Sequence, residues 1–332
     1  MKRAILSFDY ELFFGDKSGT VQKTLIEPTN IMLNVLDEVG AQATFFVDYL
    51  MLKFLEKENC KRTLADLKAI EEQLMDIVRR GHRIELHIHS HWIDAKYNGD
   101  GTWDFSDFTH YALTSFSKKE VERMFQEGVD CLTSIAKKVI PDYRIFAFRA
   151  GGWVIQPFDN FVNAFRKAGI LVDSSVALGV QLETSYSNLD FTKFPYKAVY
   201  QFENTIEEND ENGTFWEVPI TTHPYNLWDR IFNRIYREFY KKRFKVFSDG
   251  THYRASDYWK MVSHVSLFSF TKISPETLIQ KIEKTPFQLI TFIDHPKDFA
   301  MINMSNLKKV SRLLCFTCLL YTSPSPRDIS GS

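Results

Sequence analysis

The chain has 332 residues, of which 44% are apolar and 25% are charged, and its formal net charge is −1. This is the composition of an ordinary globular protein with enough residues for one large core or two smaller ones. A net charge near zero argues against a nucleic-acid or anionic-membrane partner that is bound by bulk electrostatics.

The first residues and the cysteines bear on the cellular compartment. The segment Met1-Lys2-Arg3 leads directly into residues 4–9, an apolar run too short for a signal peptide. No run of about 18 apolar residues occurs, so we expect no transmembrane helix. The four cysteines show no spacing typical of a disulfide framework. We therefore expect a cytoplasmic protein.

Strand-like and helix-like segments alternate along the chain. Short apolar runs predict strands over residues 3–9, 43–47, 82–86, 144–148, 170–172, 215–220 and 287–293. Helical periodicity and capping signals predict helices over residues 27–39, 63–80, 117–138, 157–168 and 274–284. This alternation predicts a mostly parallel sheet with right-handed crossovers.

The predicted strands number about seven, and the candidate polar residues follow their C-terminal ends. Active sites of (β/α) barrels are built at that end, so we expect an α/β fold, a distorted (β/α)7 barrel, over residues 1–315. Residues 225–273 interrupt the alternation of strands and helices, and we expect them to form a largely helical insertion. Residues 316–332 resemble translated adaptor sequence, so we expect them to be a non-native tail.

Two carboxylates end the first predicted strand. Asp9 and Glu11 lie two residues apart, so their side chains leave the same face of a strand, with about 7 Å between the Cα atoms. They could be a solvated pair that caps a turn, but a buried strand seldom ends in two carboxylates without partners. One could bind a cation while the other acts as general base on water.

Three histidines follow the third predicted strand, within His87-Ile88-His89-Ser90-His91. His87 and His91 form an i, i+4 pair if the chain turns helically there, whereas all three share a face if the chain stays extended. Neutral imidazole is a common zinc ligand. We expect His87 and His91 to bind a metal with Glu11, and His89 to be a structural or supporting residue.

Later strand ends supply further candidates. Arg149 needs a carboxylate partner, and Asp9 is the natural one. Gly152, in the glycine pair after Arg149, could offer a backbone amide to an oxyanion, with Trp153 next to it against the substrate.

The last predicted strand is followed by His295, which could act as general acid. Asp173, at the end of the fifth strand, could orient His295, or it could equally cap the turn that follows it.

Taken in order, these motifs resemble those of the polysaccharide deacetylases of carbohydrate esterase family 4, also called the NodB-homology domain. The resemblance runs from about residue 3 to residue 298. It rests on these segments: Ser7-Phe8-Asp9-Tyr10-Glu11, Ala43-Thr44-Phe45-Phe46-Val47, Gly81-His82 through His87 and His91, Phe148-Arg149-Ala150-Gly151-Gly152, and His295-Pro296.

The resemblance implies metal-dependent removal of an N-acetyl group from a sugar. By position, Asp9 is the general base, Arg149 orients it, and His295 is the general acid, held protonated. A Zn²⁺ or similar divalent cation is bound by His87, His91 and a carboxylate. The commonest motif of the family has adjacent aspartates, whereas Tyr10 stands second here. By likeness to the D-x-E members, Glu11 is the third ligand.

The missing export signal resembles the cytoplasmic branch of the family, which acts on nucleotide- or lipid-linked sugars. Gly151 and Gly152 replace the proline and tyrosine of the family's third motif, so the resemblance implies a different substrate shape. Two other functions stay open. The chain could hydrolyse another C–N bond, as in a cyclic amide or ureide, or it could be a sugar-binding barrel without activity. We expect no nucleic-acid partner.

Overall fold

A computed structural model describes residues 2–183, 187–252, 260–261 and 265–316 of the chain. The strands are β1 Lys2–Tyr10, β2 Ala43–Asp48, β3 Arg83–Ile88, β4 Lys96–Tyr97, β5 Trp103–Asp104, β6 Ala147–Ala150, β7 Val172–Asp173, β8 Gln181–Glu183, β9 Asn188–Asp190, β10 Tyr200–Phe202, β11 Phe215–Glu217, β12 Thr222–Pro224, β13 Lys260–Met261, β14 Val265–Leu267, β15 Leu289–Asp294 and β16 Leu314–Phe316. The α-helices are α1 Glu27–Val39, α2 Tyr49–Glu58, α3 Lys61–Arg79, α4 Lys118–Lys137, α5 Val162–Ala168, α6 Leu227–Phe239, α7 Pro275–Lys284 and α8 Met301–Ser311.

Seven parallel strands form the central sheet, in the order β11-β7-β6-β3-β2-β1-β15. Each of these seven strands overlaps a predicted strand by at least one residue. The sheet also takes up β10, antiparallel to β11, and β16, parallel to the start of β1. Helices follow most of these strands along the chain, so the predicted α/β architecture is confirmed.

The sheet curls until its two ends meet. After β11, the Ile220 amide donates to the Val176 carbonyl, and the Thr221 amide donates to the Thr291 carbonyl of β15. Thr291 returns a hydrogen bond from its own amide to the Thr221 hydroxyl. Closure depends on these few bonds and not on a regular ladder, and the fold is therefore a distorted (β/α) barrel.

Local signals in the sequence account for several helix ends. Ser117 and Glu120 form the predicted capping box at the start of α4. Ser274 caps α7 and Pro275 fills its first position, where no backbone hydrogen is needed. Gly40 ends α1 in the left-handed conformation (φ 64°), which glycine adopts without a Cβ clash.

Within the predicted insertion, residues 225–273, the described part contains α6, the strand β13, which pairs with β8, and the strand β14, which pairs with β12. Residues 253–259 and 262–264 of the insertion, and residues 317–332 of the predicted tail, lie outside the described residues. No helix in the described part of the chain is long and apolar enough to cross a membrane.

A buried histidine ties β2 to the turn before β3. His82 Nδ1 accepts a hydrogen bond from the Ala43 amide at 3.2 Å, so the ring proton sits on Nε2. Burial lowers the pKa of His82 to about 4. The folded chain therefore favours neutral His82.

Acidification should destabilise the fold through His82. The unfolded chain takes up this proton near pH 6.5 and the folded chain only near pH 4, so stability is lost as the pH falls through this window. Between pH 7.5 and pH 5 the loss should be about 1–2 kcal/mol. His82→Asn keeps the acceptor and removes the titration, so urea unfolding should show a smaller pH dependence for this variant. Equal losses for the two proteins would refute the assignment.

Candidate metal-binding active site

The C-terminal ends of the barrel strands surround a cavity of about 200 Å³. Because parallel strands end at the same edge of a sheet, side chains far apart in the sequence meet there. The cavity is lined by Asp9, Glu11, His89, His91, Ala150, Gly152, Trp153, His252, His295 and Lys297, together with the rings of Phe14, Phe108 and Tyr111. Most predicted site residues therefore line this cavity. His87 and Arg149 lie behind it, in contact with Glu11 and Asp9, and Asp173 is the exception described below.

One Glu11 oxygen faces two imidazoles. Glu11 Oε2 lies 3.0 Å from His87 Nε2 and 2.7 Å from His89 Nε2. All three side chains are buried, and their potential ligand atoms lie within 4.8 Å of one another. In the part of the chain that the structure describes, this is the one cluster with the spacing of a metal site.

The chemistry of these three side chains fits a zinc ion. His87 Nδ1 lies 2.6 Å from the Arg149 carbonyl oxygen, which can only accept, so Nδ1 carries the proton and Nε2 offers its lone pair. One carboxylate and two imidazoles, with room for water, are a known donor set for catalytic zinc.

Charge around His87 also favours a cation. Burial alone would lower the pKa of His87, but the nearby Asp9 and Glu11 carboxylates outweigh this effect and raise it to about 9. The negative charge of Asp9 and Glu11 therefore stabilises a positive charge at this position. A divalent cation bound between these groups would be stabilised in the same way.

His91 lies apart from this group. β3 ends at Ile88, the chain stays extended through His89, and a 3₁₀ turn begins at Ser90. His87 and His89 therefore share a face, and the turn carries His91 into an aromatic pocket. The His91 ring stacks on Tyr111 and meets Phe14 edge-on. Its two nitrogens have no hydrogen-bond partner among the described residues. The structure thus places His89, and not the expected His91, beside Glu11 and His87.

Arg149 fixes the second carboxylate, as the sequence predicts. Arg149 Nη1 lies 2.6 Å from Asp9 Oδ1, and the guanidinium also donates to Ser7 and Ser174. Burial opposes ionisation of Asp9, but the Arg149 guanidinium, together with His87 and His295, outweighs it and holds the pKa of Asp9 below its usual value. Asp9 is therefore an ionised, rigidly held carboxylate.

His295 faces both carboxylates. Its Nε2 lies 3.6 Å from Asp9 Oδ2 and 3.4 Å from Glu11 Oε1. Burial and the Lys297 ammonium lower the pKa of His295 to about 4. This contradicts the expectation of a protonated His295, because the ring is neutral at ordinary pH and must take up a proton before it can donate one.

Asp173 does not orient His295. Its carboxylate accepts hydrogen bonds from the amide and the hydroxyl of Ser175, so it caps the turn after β7. Asp298 lies beside His295 instead, with 3.6 Å between Oδ2 and Nδ1, and accepts a hydrogen bond from His252. Of the two alternatives for Asp173, the capping role is the observed one.

Two buried charged residues of the site are absent from the sequence-based prediction. Lys297 donates to Glu11 Oε1 and to the Leu12 carbonyl, both at 2.7 Å. Asp48, at the end of β2, accepts from the His89 amide at 3.1 Å and from the Trp92 indole at 2.6 Å. Asp48 follows a predicted strand directly, so the rule that found Asp9 could have found it.

The glycine pair after Arg149 leaves space for its neighbours. A Cβ on Gly151 would lie 2.5 Å from the Ile88 carbonyl oxygen and 2.8 Å from His89 Nδ1. A Cβ on Gly152 would lie 2.3 Å from the Tyr111 hydroxyl, and its φ of 59° also favours glycine. The two glycines thus let this loop approach the histidines and the cavity.

No protein-family model and no curated protein sequence matches the chain. Solved structures similar to it include a putative polysaccharide deacetylase from Mycobacterium smegmatis, with 12% identity, 98% of this chain and 95% of that chain covered, and a TM-score of 0.43. A carbohydrate esterase family 4 pseudoenzyme from Bacillus anthracis has 10% identity over 96% of this chain and a TM-score of 0.43. A 4-α-glucanotransferase from Thermococcus litoralis has 13% identity over 97% of this chain and a TM-score of 0.49.

These similarities concern the fold. The chain spans 64% of the length of the Bacillus anthracis protein and 40% of the Thermococcus litoralis protein. The similar structures thus include a putative polysaccharide deacetylase and a pseudoenzyme of carbohydrate esterase family 4.

Metal binding should distinguish the two histidines. After loading with zinc and dialysis, His89→Phe should lower zinc affinity by roughly a hundredfold or more, since it removes a ligand atom. His91→Phe makes the same change in an aromatic surrounding and should keep about one zinc per chain. The measurement is elemental analysis of both variants, with circular dichroism to confirm folding. Loss of zinc from the His91 variant alone would show that His91, as expected from the sequence, is the ligand and His89 is not.

Gly151→Ala should disturb the site through His89. The added methyl group would press on the Ile88 carbonyl and the His89 ring, so we expect zinc affinity to fall by about tenfold. Gly169→Ala is the control, because a Cβ there meets no atom within 4 Å and its only cost is the left-handed φ of 73° at the end of α5, away from the cavity. A zinc titration that finds equal affinities for both variants would disprove a positioning role for Gly151.

Proposed function

We propose that the protein is a metal-dependent hydrolase that removes N-acetyl groups from an N-acetylated sugar or polysaccharide precursor. The proposal is carried by one observation. A Glu-His-His group with the spacing of a metal site lies next to a carboxylate that is paired with Arg149, and a histidine lies within 3.6 Å of that carboxylate. These are the parts that hydrolysis of an amide by activated water requires.

A zinc ion held by Glu11, His87 and His89 would polarise the amide carbonyl and acidify water. The protein groups then handle the proton. Asp9 Oδ1 is engaged by Arg149, so Oδ2 is the oxygen free to accept the proton of the attacking water. His295 Nε2, close to Asp9 Oδ2, takes up this proton and delivers it to the amine as the C–N bond breaks. The products are acetate and a free amino sugar.

The neutral state of His295 suits this relay. A ring whose pKa lies near 4 gives up a proton readily, and it can do so only after receiving one from the Asp9 side. Asp9 therefore accepts the proton first, and His295 receives it and donates it to the amine afterwards. The Gly152 amide, at the edge of the cavity, would donate to the oxyanion that forms when water adds.

Aromatic side chains support a sugar as the substrate. Trp153, Tyr111 and Phe108 line the cavity beside the catalytic groups, and flat rings can pack on the apolar face of a pyranose. A nucleotide-linked, lipid-linked or oligosaccharide form of that sugar is suggested by the sequence resemblance.

Asp9→Asn should abolish acetate release while zinc stays bound. The amide keeps the shape of the side chain but cannot accept the proton, so acetate release from N-acetylglucosamine oligosaccharides should fall by about 10²–10⁴-fold. Asp66→Asn makes the same change on α3, away from the cavity, and should be silent. The measurements are enzymatic acetate detection and zinc content.

The other outcomes each reject a part of this proposal. An Asp9→Asn variant that loses zinc but regains activity on added zinc would show that Asp9 and Glu11 have exchanged roles. Hydrolysis of cyclic amides or ureides, without acetate release from sugars, would favour the other C–N hydrolase function. A zinc-loaded wild-type protein that binds sugar oligomers and releases no acetate would be an inactive sugar-binding barrel.

A further inference from the structure

Helix α6 packs on the barrel with its polar face. Asp229 pairs with Lys281 of α7 at 2.7 Å, and Arg237 donates to the Thr271 carbonyl at 2.9 Å. Asn233, midway between them, donates to the Lys272 carbonyl. These three side chains lie four residues apart, so one polar stripe of the helix faces the protein.

The opposite face of α6 is apolar and exposed. Spacings of three, four or five residues place Leu227, Trp228, Ile231, Phe232, Ile235 and Phe239 on one side of the helix. Trp228 is 68% exposed, Phe232 62% and Phe239 83%. A surface helix normally turns its apolar face to the core, so α6 is inverted and this face has no partner among the described residues.

Basic side chains lie along one edge of the apolar face and beyond its C-terminal end. Residues 226–245 contain seven arginines and lysines and two carboxylates, a net charge of +5 in a chain whose total is −1. Arg230 and Arg234 flank the apolar stripe, and Lys241, Lys242, Arg243 and Lys245 follow the helix; all six are exposed. The charge is therefore segregated, and near-neutrality of the whole chain conceals a cationic surface.

A groove of about 750 Å³ runs between α6 and α7. Trp228, Phe232, Ile235 and Phe239 form its apolar side, whereas the α7 side carries Glu276, Lys284 and the Lys281 ammonium that is paired with Asp229. The groove therefore suits hydrocarbon, and the attraction for negative charge comes from the arginines and lysines outside it.

We propose that α6 binds the protein to the surface of a bilayer that contains anionic phospholipid. The helix would lie in the plane of the interface, with its aromatic and aliphatic side chains below the headgroups and its arginines and lysines on the phosphates. A second copy of this chain fits less well, because it would bring another +5 charge to the same surface.

The same segment connects this surface to the cavity. After α6, Val246 pairs with Ala300, and the chain reaches the cavity at His252, which binds Asp298 beside His295. Binding at α6 would therefore hold the barrel mouth at a fixed position relative to the bilayer.

Vesicle sedimentation of the full chain tests this proposal without using catalysis, so its result is independent of the proposed function. Wild type should sediment with vesicles of equal parts phosphatidylglycerol and phosphatidylcholine, and far less with pure phosphatidylcholine or at high salt. Trp228→Ser/Phe232→Ser/Phe239→Ser should reduce the partition coefficient by more than about tenfold, because it removes three interfacial anchors. Lys241→Glu/Lys242→Glu/Arg243→Glu should reduce it similarly.

The matched control is Leu64→Ser/Tyr196→Ser/Met301→Ser, which removes three exposed apolar side chains elsewhere. This variant should bind vesicles as wild type does, and thermal unfolding of all variants checks that they fold. Binding that is absent, or equal for wild type and both α6 variants, overturns the proposal. A dimer that requires Trp228, Phe232 and Phe239, without vesicle binding, overturns it in favour of a second copy.

Discussion

The barrel mouth is organised by the need to neutralise two buried carboxylates. Asp9 and Glu11 stand two residues apart at the end of β1, where burial penalises their charge. An unpaired buried carboxylate is costly enough that a protein must supply partners or give up the charge. Here Arg149 and Lys297 supply positive charge from β6 and from the segment after β15, and both side chains are themselves buried.

The different partners give the two carboxylates different chemistry. Arg149 holds one oxygen of Asp9 and leaves the other toward His295, which suits a proton acceptor. Lys297 holds one oxygen of Glu11 and leaves the other toward His87 and His89, which suits a metal ligand. Environments that separate the roles of two neighbouring acids are typical of hydrolytic sites. The proposed division of roles between base and ligand thus follows from two cations that are not themselves reactive.

The barrel and most of its candidate site can be predicted from the sequence because parallel strands end at the same edge of the sheet. Asp9, Glu11, His87, Arg149 and His295 each sit at or just beyond a strand end and meet at the cavity, as that rule predicts. The same rule cannot choose between His89 and His91. That choice depends on whether the chain after β3 stays extended or turns at once, and three closely spaced histidines are compatible with both. Lys297 was missed because a lysine in a loop is normally solvated, and its burial depends on contacts with Glu11 and Leu12 from the other end of the chain. Net charge conceals a local charge for a similar reason, since it averages the cationic α6 segment with an acidic remainder.

Glu11, His87 and His89 should bind one metal ion while Asp9 stays free of it. Anomalous diffraction at the zinc edge, from crystals of the zinc-loaded protein, tests this directly. We expect one strong peak about 2 Å from Glu11 Oε2 and from Nε2 of His87 and His89. A peak bonded to Asp9 or to His91, with His89 turned away, would contradict it.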